Sequence, residues 1–219
     1  MKVKHIFSFF FSLVIFFSTA QKKEHSLRKS WIYEPNFLVG FDVLNAGASV
    51  LSDRKLFQAF VSSKVKGPWY AVADLGYEDN IYLKNGYDVT AAGPFARVGT
   101  TYMLVHDQEN HLNGFFAGGK LAASYYTQEY RAIPIRGFGG SEEAQAFPSS
   151  RQSSYWAEIN VGGRVQLFDL PFFLEATVQP KYLIFSTRQD EIVPMIVPGF
   201  GKSSSKFNVG FSWNVAYSF

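Results

Sequence analysis

The 219-residue chain contains no cysteine. This absence excludes disulfide bonds and thiolate metal sites, and it also excludes a lipid-modified cysteine behind a signal sequence. After the first twenty positions no run of 18 consecutive apolar residues occurs, so no transmembrane helix is predicted. Two of the 21 basic residues lie within positions 1–20, which leaves 19 basic against 18 acidic residues. This near-neutral balance predicts no nucleic-acid partner.

The first twenty residues differ in composition from the rest. MKVKH carries two lysines, IFSFFFSLVIFF is an apolar run of twelve, and Ser18-Thr19-Ala20 supplies small residues. These are the three parts of a secretory signal peptide. We therefore predict a signal peptide over residues 1–20, a periplasmic segment over residues 21–35 and an outer-membrane barrel over residues 36–219.

Aromatic residues are abundant, at 18% of the chain, and apolar side chains recur at every second position over long stretches. From Tyr155 to Phe168, for example, the charged Glu158 and Arg164 lie on one face only. Period-two alternation predicts β-strands. The predicted strands cover residues 36–45, 55–66, 69–78, 93–105, 114–127, 153–168, 171–185 and 205–219. The first is the least regular, because LNAGASVL also suits a helical turn.

The connections between these strands alternate between short and long. Short connections follow the second, fourth and sixth strands, and the long connections cover residues 46–54, 79–92, 128–152 and 186–204. Outer-membrane barrels have short periplasmic turns and longer outer loops. The sequence therefore predicts an all-β fold, an eight-stranded antiparallel transmembrane up-and-down β-barrel.

The polar faces of the strands carry balanced charge. A narrow eight-stranded barrel is filled by side chains, and buried charges must be paired. We therefore predict a structural charge network in the lumen, with Gly76, Gly99, Gly118 and Gly162 making room for its long side chains. Its members are Asp42, Asp74, Arg97, Lys120, Glu158, Arg164, Glu175 and Lys181. The alternative is that these charges lie on the solvated face of a soluble β-sandwich.

Aromatic residues on the opposite faces stand near strand ends. They are Trp69, Tyr77, Tyr102, Tyr125, Tyr155, Tyr182, Tyr217 and Phe219. This position is typical of the aromatic girdles that flank the apolar band of a membrane barrel.

The ending NVGFSWNVAYSF resembles the C-terminal signal that the barrel-assembly machinery reads, which implies an insertion role for Phe211, Trp213, Val215, Tyr217 and Phe219. The general layout is similar to the small OmpA-type barrels. The segments GFD (Gly40 to Asp42), DLGY (Asp74 to Tyr77) and GPFARVG (Gly93 to Gly99) resemble a family of small Bacteroidota barrels labelled only as a domain of unknown function. The resemblance implies compartment and fold, and it implies no catalytic residue.

Three functions follow as hypotheses. The first is a non-enzymatic outer-membrane subunit, without cofactor or metal, that presents loops such as 128–152 beside a larger assembly or secretion complex. Its expected partners are outer-membrane lipid, the barrel-assembly machinery during insertion and that larger complex. The second is a membrane enzyme acting on lipid or peptide, against which the placement of His106 and His111 in a short periplasmic turn argues. The third is a soluble carrier of apolar ligands, which the charged lumen disfavours.

Overall fold

The segments with period-two alternation form the strands of a closed sheet. The computed structural model describes residues 37–107, 109–136, 142–168, 170–189 and 192–219. The predicted signal peptide and periplasmic segment lie outside these residues. The elements are β1 (Phe37–Asp42), α1 (Val43–Val50), β2 (Arg54–Lys66), β3 (Trp69–Lys84), β4 (Tyr87–His106), β5 (Gly114–Arg136), β6 (Glu142–Gln166), β7 (Phe172–Ser186), β8 (Ile196–Val197), β9 (Gly201–Lys202) and β10 (Phe207–Ser218).

Each long strand pairs antiparallel with its neighbours in the chain, and β1 pairs with β10, so eight strands close an up-and-down barrel. The eight-stranded antiparallel prediction is confirmed. We call the end with the short connections the turn end, where the Phe219 N–H donates to the Phe37 carbonyl at 2.9 Å. The opposite end is the loop end. In the part of the chain that the structure describes, no helix has the length and apolarity needed to cross a membrane.

Two of the predicted long loops are mostly strand. Residues 79–92 extend β3 and β4 to a tight turn at Asn85 and Gly86, both with positive φ, of 55° and 79°. Such a turn suits the right-handed twist of a hairpin. Residues 128–152 likewise extend β5 as far as Arg136 and begin β6 at Glu142. The prediction of loops was wrong because polar residues occupy both faces of these extensions.

The predicted first strand, 36–45, is too long. β1 ends at Asp42, whose carboxylate accepts the backbone N–H of Asn45 at 3.1 Å. This is an N-cap, which satisfies one of the unpaired donors of a helix start. The segment LNAGASVL therefore belongs mainly to α1, in agreement with the helical alternative.

Helix α1 completes the barrel wall where β1 stops. β1 pairs with β10 only as far as Asp42 opposite Asn214. The parts of β2 and β10 nearer the loop end therefore have no strand between them. The Asn45 side chain donates to the Phe211 carbonyl at 3.0 Å. The Ser49 hydroxyl accepts from the Leu56 N–H at 2.7 Å. Side chains of α1 thus replace some of the backbone bonds that a longer β1 would make.

The connection after β7 folds into the barrel instead of extending outward. We call residues 192–206 the inner loop. It contains the short pair β8 and β9, which forms a separate two-stranded sheet. Ile196, Val197 and Phe200 are each no more than 2% exposed. The prediction of an outer loop over 186–204 was therefore wrong for this apolar portion.

The interior has three layers. Apolar side chains fill the turn end, and a second apolar cluster fills the loop end around the inner loop; we call the latter cluster the mouth plug. Polar and charged side chains lie between them. The turn-end cluster is Leu38, Phe60, Tyr70, Val72, Met103, Leu112, Phe116, Phe173 and Ala216. The mouth plug is Leu56, Ala91, Phe95, Ala122, Tyr126, Trp156, Leu183, Ile196, Val197 and Phe200.

Inward glycines make room for aromatic rings and backbone, and not for Arg and Lys as expected. A Cβ at Gly76 would lie 2.2 Å from the Phe95 ring, and one at Gly162 would lie 2.5 Å from a backbone oxygen and 2.8 Å from the Phe116 ring. At Gly99 and Gly118 the nearest atoms belong to neighbouring backbone. The expectation was wrong because the rings of Phe95 and Phe116 need the space at Gly76 and Gly162, and the backbone of the adjacent strand needs it at Gly99 and Gly118.

Candidate functional site

The eight charged residues predicted for the lumen are all buried. None is more than 9% exposed. They lie on six different strands, and the barrel brings them to the middle layer, between the turn-end cluster and the mouth plug.

Arg97 is the centre of the charged layer. Its guanidinium lies 3.4 Å from the Glu158 carboxylate and 4.0 Å from that of Asp74. It also donates to the side-chain oxygen of Gln58. Gln58 in turn donates to Asp42. One residue therefore connects carboxylates from three different strands.

The two lysines of this layer compensate the same carboxylates. Lys120 Nζ lies 2.7 Å from Asp74, and Lys181 Nζ lies 3.6 Å from Glu158. With Arg97 and Asp42, these side chains contribute three positive and three negative charges. Balanced pairing of this kind is what allows charges to remain buried.

Arg164 and Glu175 form a second pair nearer the turn end. Arg164 donates to one carboxylate oxygen of Glu175 from Nε at 2.8 Å and from Nη2 at 2.6 Å. The other oxygen accepts from Asn214 at 3.1 Å. The Arg164 guanidinium also lies 5.4 Å from the centre of the Phe116 ring, a cation–π contact. This pair therefore joins the charged layer to the turn-end cluster.

The lumen leaves little free space. A cavity in the polar layer, lined by residues such as Lys120, Asn160 and Thr177, offers about 20 Å³ to the centre of a water molecule. A single water needs about 10–15 Å³ on this measure. This cavity therefore has room for one or two water molecules and not for a larger solute.

Sequence reasoning missed a clasp between the wall and the inner loop. The Gly199 N–H donates to Glu78 at 2.7 Å, and the Gly199 carbonyl accepts from Lys181 at 2.6 Å. Glu78 follows Asp74 and Gly76 at the same period of two, so the alternation contained a signal for its inward direction. Gly199 had no such signal, since it lies outside the strands.

Glu78 is fully buried and has further partners. Arg54 Nε lies 2.7 Å from one carboxylate oxygen, and the Asn80 amide donates to the same oxygen at 3.0 Å. The other carboxylate oxygen accepts the hydrogen bond from the Gly199 N–H. The carboxylate is thus oriented by the wall and presents its second oxygen to the inner loop.

An apolar band surrounds the outside of the barrel. The eight aromatics predicted for girdles are all at least 37% exposed. Trp69 and Tyr102 contact each other near the turn end, with ring centres 5.0 Å apart. Tyr77, Tyr125 and Tyr155 lie toward the loop end. From Phe115 to Tyr125 strand β5 advances by ten residue intervals, about 33 Å of strand or roughly 25 Å along the axis of a tilted barrel.

Four residues of the predicted insertion signal lie on β10, and the fifth, Phe219, directly follows it. Phe211, Trp213, Tyr217 and Phe219 are exposed on the outer surface, and Val215 is half-buried. The Tyr217 ring contacts those of Phe172 and Phe219, with centres 5.2 and 4.9 Å away. These contacts place the last residues in the turn-end girdle.

The histidines of the described chain, His106 and His111, lie at the turn end, with ring centres 5.0 Å apart. Burial, and next the nearby His106, lower the pKa of His111 below its ordinary value. Among the described residues no three His, Cys, Asp or Glu side chains are grouped so that they could hold a metal ion.

One of the comparisons with known proteins shows a family, whose function it leaves open. A family model described as a domain of unknown function, DUF6048, matches residues 2–219. This match confirms the resemblance to a family with such a label, while the bacterial group stays a prediction. No curated protein matches the chain.

Three solved structures are similar at low identity. Neisserial surface protein A is 14% identical, with a TM-score of 0.39, and the match covers 84% of this chain and 96% of that chain. A major outer membrane protein of Thermus thermophilus is 12% identical, with a TM-score of 0.44 and coverage of 84% and 98%. The beta domain of the Bordetella autotransporter BrkA is 13% identical, with a TM-score of 0.39 and coverage of 84% and 98%. At these values the matches carry no conclusion about function.

Proposed function

Because the chain belongs to the DUF6048 family, whose description states no function, we propose one from the geometry. The protein is a non-enzymatic outer-membrane barrel with a filled lumen. It acts as an accessory subunit that presents its loop-end surface, beside a larger membrane complex. In this orientation the turn end faces the periplasm.

The apolar outer band is the observation that carries the membrane proposal. Large side chains such as Leu75, Val98, Leu121 and Ile159 are 59–69% exposed, between the two sets of aromatic residues. In water such a continuous apolar surface would be a strong aggregation liability. A height of roughly 25 Å matches the apolar band of outer-membrane barrels. The closed sheet also leaves few backbone groups unpaired toward lipid.

The filled lumen supports an anchoring role over transport. The turn-end cluster, the paired charges and the mouth plug occupy the barrel from one end to the other. A solute would have to disrupt all three layers to pass. The extensions of β3, β4, β5 and β6 beyond the loop-end aromatics then supply a rigid surface for a partner.

The membrane proposal is tested by fractionation and by gel migration before and after heating. We expect recovery with outer membranes, and a folded form that migrates differently from the boiled form. Recovery in the soluble fraction without heat-modifiable migration would overturn the membrane assignment.

The accessory role is tested by purifying the tagged chain in mild detergent and identifying companions by mass spectrometry. We expect stoichiometric membrane companions. The matched variant replaces residues 133–145 with Asn-Gly and so retains the contact of Tyr130 with Phe147. It should keep heat-modifiable migration and lose the companions. A lone monomer in both preparations would reject the accessory role.

The enzyme alternative receives no positive support from the described geometry. His106 and His111, the histidines within the described chain, lie at the turn end, away from the loop-end surface. We therefore do not propose it as a second function.

A further inference from the structure

The inner loop occupies the mouth of the barrel as a ligand would. Its segment Pro194–Phe200 is buried except for a partly buried Met195. The Phe200 ring lies against Trp156, with centres 6.0 Å apart, and Gly199 lies against the Phe95 ring. A short apolar segment therefore fits an aromatic-lined recess in the wall.

The floor of this recess recognises the backbone of the segment. Glu78 accepts the N–H of Gly199, and Lys181 donates to its carbonyl, both within 2.7 Å. Both charged side chains are buried and are also held from the wall, Glu78 by Arg54 and Lys181 by Glu158. An acceptor and a donor prepositioned around one residue, where φ is +80° and a Cβ would meet the Phe95 ring, suit a peptide that has a glycine there. Charge-assisted hydrogen bonds of this kind are stronger than neutral ones.

The loop is not part of the barrel sheet. In the described chain no register pair of the barrel falls between Thr187 and Lys206. Strands β8 and β9 pair only with each other. Withdrawal of the loop would therefore break side-chain contacts and the Gly199 clasp, but none of the strand pairing that closes the barrel.

We propose that the mouth of the barrel is a peptide-binding site, in which the inner loop is the resident occupant and which takes an apolar hairpin turn of a partner protein. The partner segment carries a glycine between bulky apolar residues and replaces the loop. This inference rests on the proposed function, since an anchored accessory barrel presents its mouth to that partner. The tethered loop competes at an effective concentration of the order of mM. The partner segment must therefore bind the mouth more tightly than the loop does.

The binding test uses detergent-purified barrel in which residues 194–200 are replaced by seven Gly and Ser residues. The probe is a fluorescent peptide with the sequence of residues 192–206, IVPMIVPGFGKSSSK, followed by anisotropy. We expect saturable binding to the replaced barrel and binding about tenfold or more weaker to the unmodified chain, whose loop competes. Absence of saturable binding to a replaced barrel that shows heat-modifiable migration would overturn the proposal.

The clasp supplies two matched controls. A peptide with Gly199→Val should bind about tenfold or more weakly, because its side chain would meet Phe95 and its positive φ is unfavourable. Glu78→Gln in the replaced barrel should weaken the binding of the unmodified peptide by a similar factor, since a charged acceptor is lost. Equal binding of both peptides would reject recognition at Gly199, whatever the fold of the Glu78 variant.

Displacement in the cell is tested by single cysteines, because the natural chain has none. Val197→Cys is buried in the loop, Ser212→Cys is buried in the wall, and Ser204→Cys is exposed. A membrane-impermeant maleimide should label position 197 slower than 204 and measurably faster than 212. Labelling at 197 as slow as at 212 would show a permanent plug and overturn displacement. The binding test in detergent does not depend on cellular location, so its failure is distinguishable from failure of the membrane assignment.

Discussion

The two ends of the lumen are sealed in different ways. At the turn end, apolar side chains come from the wall strands, with Leu112 added from a short turn. At the loop end, Ile196, Val197 and Phe200 come from a segment outside the barrel sheet. The turn end can therefore open only if the wall unfolds. The loop end can open by withdrawal of one segment, so the same kind of apolar packing is structural at one end and exchangeable at the other.

The largest effect is expected when one phenylalanine is removed from each end. Phe116→Ala should lower the free energy of unfolding by about 3–5 kcal/mol, because a buried ring leaves a cavity in the wall. Phe200→Ala should lower the free energy of unfolding by less. The loss cannot exceed the free energy with which the inner loop binds in the mouth, because the wall can stay folded without the loop. Urea unfolding in lipid measures both. Equal losses would show that the loop and the wall form one cooperative unit.

A smaller effect is expected at Gly199. Its φ of +80° and a Cβ that would lie 2.5 Å from the Phe95 ring make valine unfavourable there. Gly199→Val should destabilise the seated loop by about 1–3 kcal/mol and raise the labelling of Val197→Cys about tenfold or more. The control is Gly47→Ala, at a position with open space in α1, which should leave labelling unchanged and add about 0.5–1 kcal/mol of stability. Unchanged labelling in the Gly199 variant would contradict the seating.

The helix that completes the wall allows a third comparison. Ser49→Ala removes the acceptor of the buried Leu56 N–H and should lower unfolding stability by about 1 kcal/mol without freeing the inner loop. Ser52→Ala is the matched control, because the Ser52 hydroxyl donates hydrogen bonds to the carbonyls of Ala48 and Arg54 at an exposed position. Faster labelling of Val197→Cys in the Ser49 variant alone would show that the junction of α1 with β2 is coupled to the inner loop.

The smallest effect is a dependence of loop seating on pH. Burial raises the pKa of Tyr130 to about 12 from an ordinary 10.0, and its hydroxyl donates to the Val193 carbonyl at 3.3 Å. A raised pKa favours the seated loop below pH 10, and this contribution is lost as pH rises from 10 toward 12. Labelling of Val197→Cys relative to Ser204→Cys should increase over that range.

Tyr130→Phe isolates this contribution from any other group that responds to alkaline pH. The variant should lack the part of the increase that belongs to the tyrosine. An identical pH profile in both chains would assign the change to other groups of the barrel.

The sequence allowed the barrel and its charged layer to be predicted because both depend on period two. Asp74 and Arg97 alternate with outward-facing apolar side chains, and no knowledge of pairing was needed to assign their faces. The partners within the layer could not be obtained in this way, since Arg97 and Glu158 are 61 residues apart and meet only through barrel closure.

The parts of the chain without clear period two were predicted least well. The inner loop contains IVPMIVPGF, in which prolines interrupt an apolar run, and its length is typical of an outer loop of a barrel. Helix α1 was predicted only as the alternative to a longer first strand, because its eight residues are too few for a helical period to exceed a strand period. The extensions of β5 and β6 carry polar residues on both faces, which hides the alternation of a strand.

The short β1 has a consequence for the order of folding. The first and last strands share five register pairs, between residues 38–42 and 214–218, whereas β5 and β6 share twenty. Contacts between chain ends also require the largest loss of chain entropy. We therefore expect the hairpins to form early and the ring to join last at this narrow junction. The hydrogen bonds of Asn45 and Ser49 in α1 would then form late, after β1 and β10 have paired.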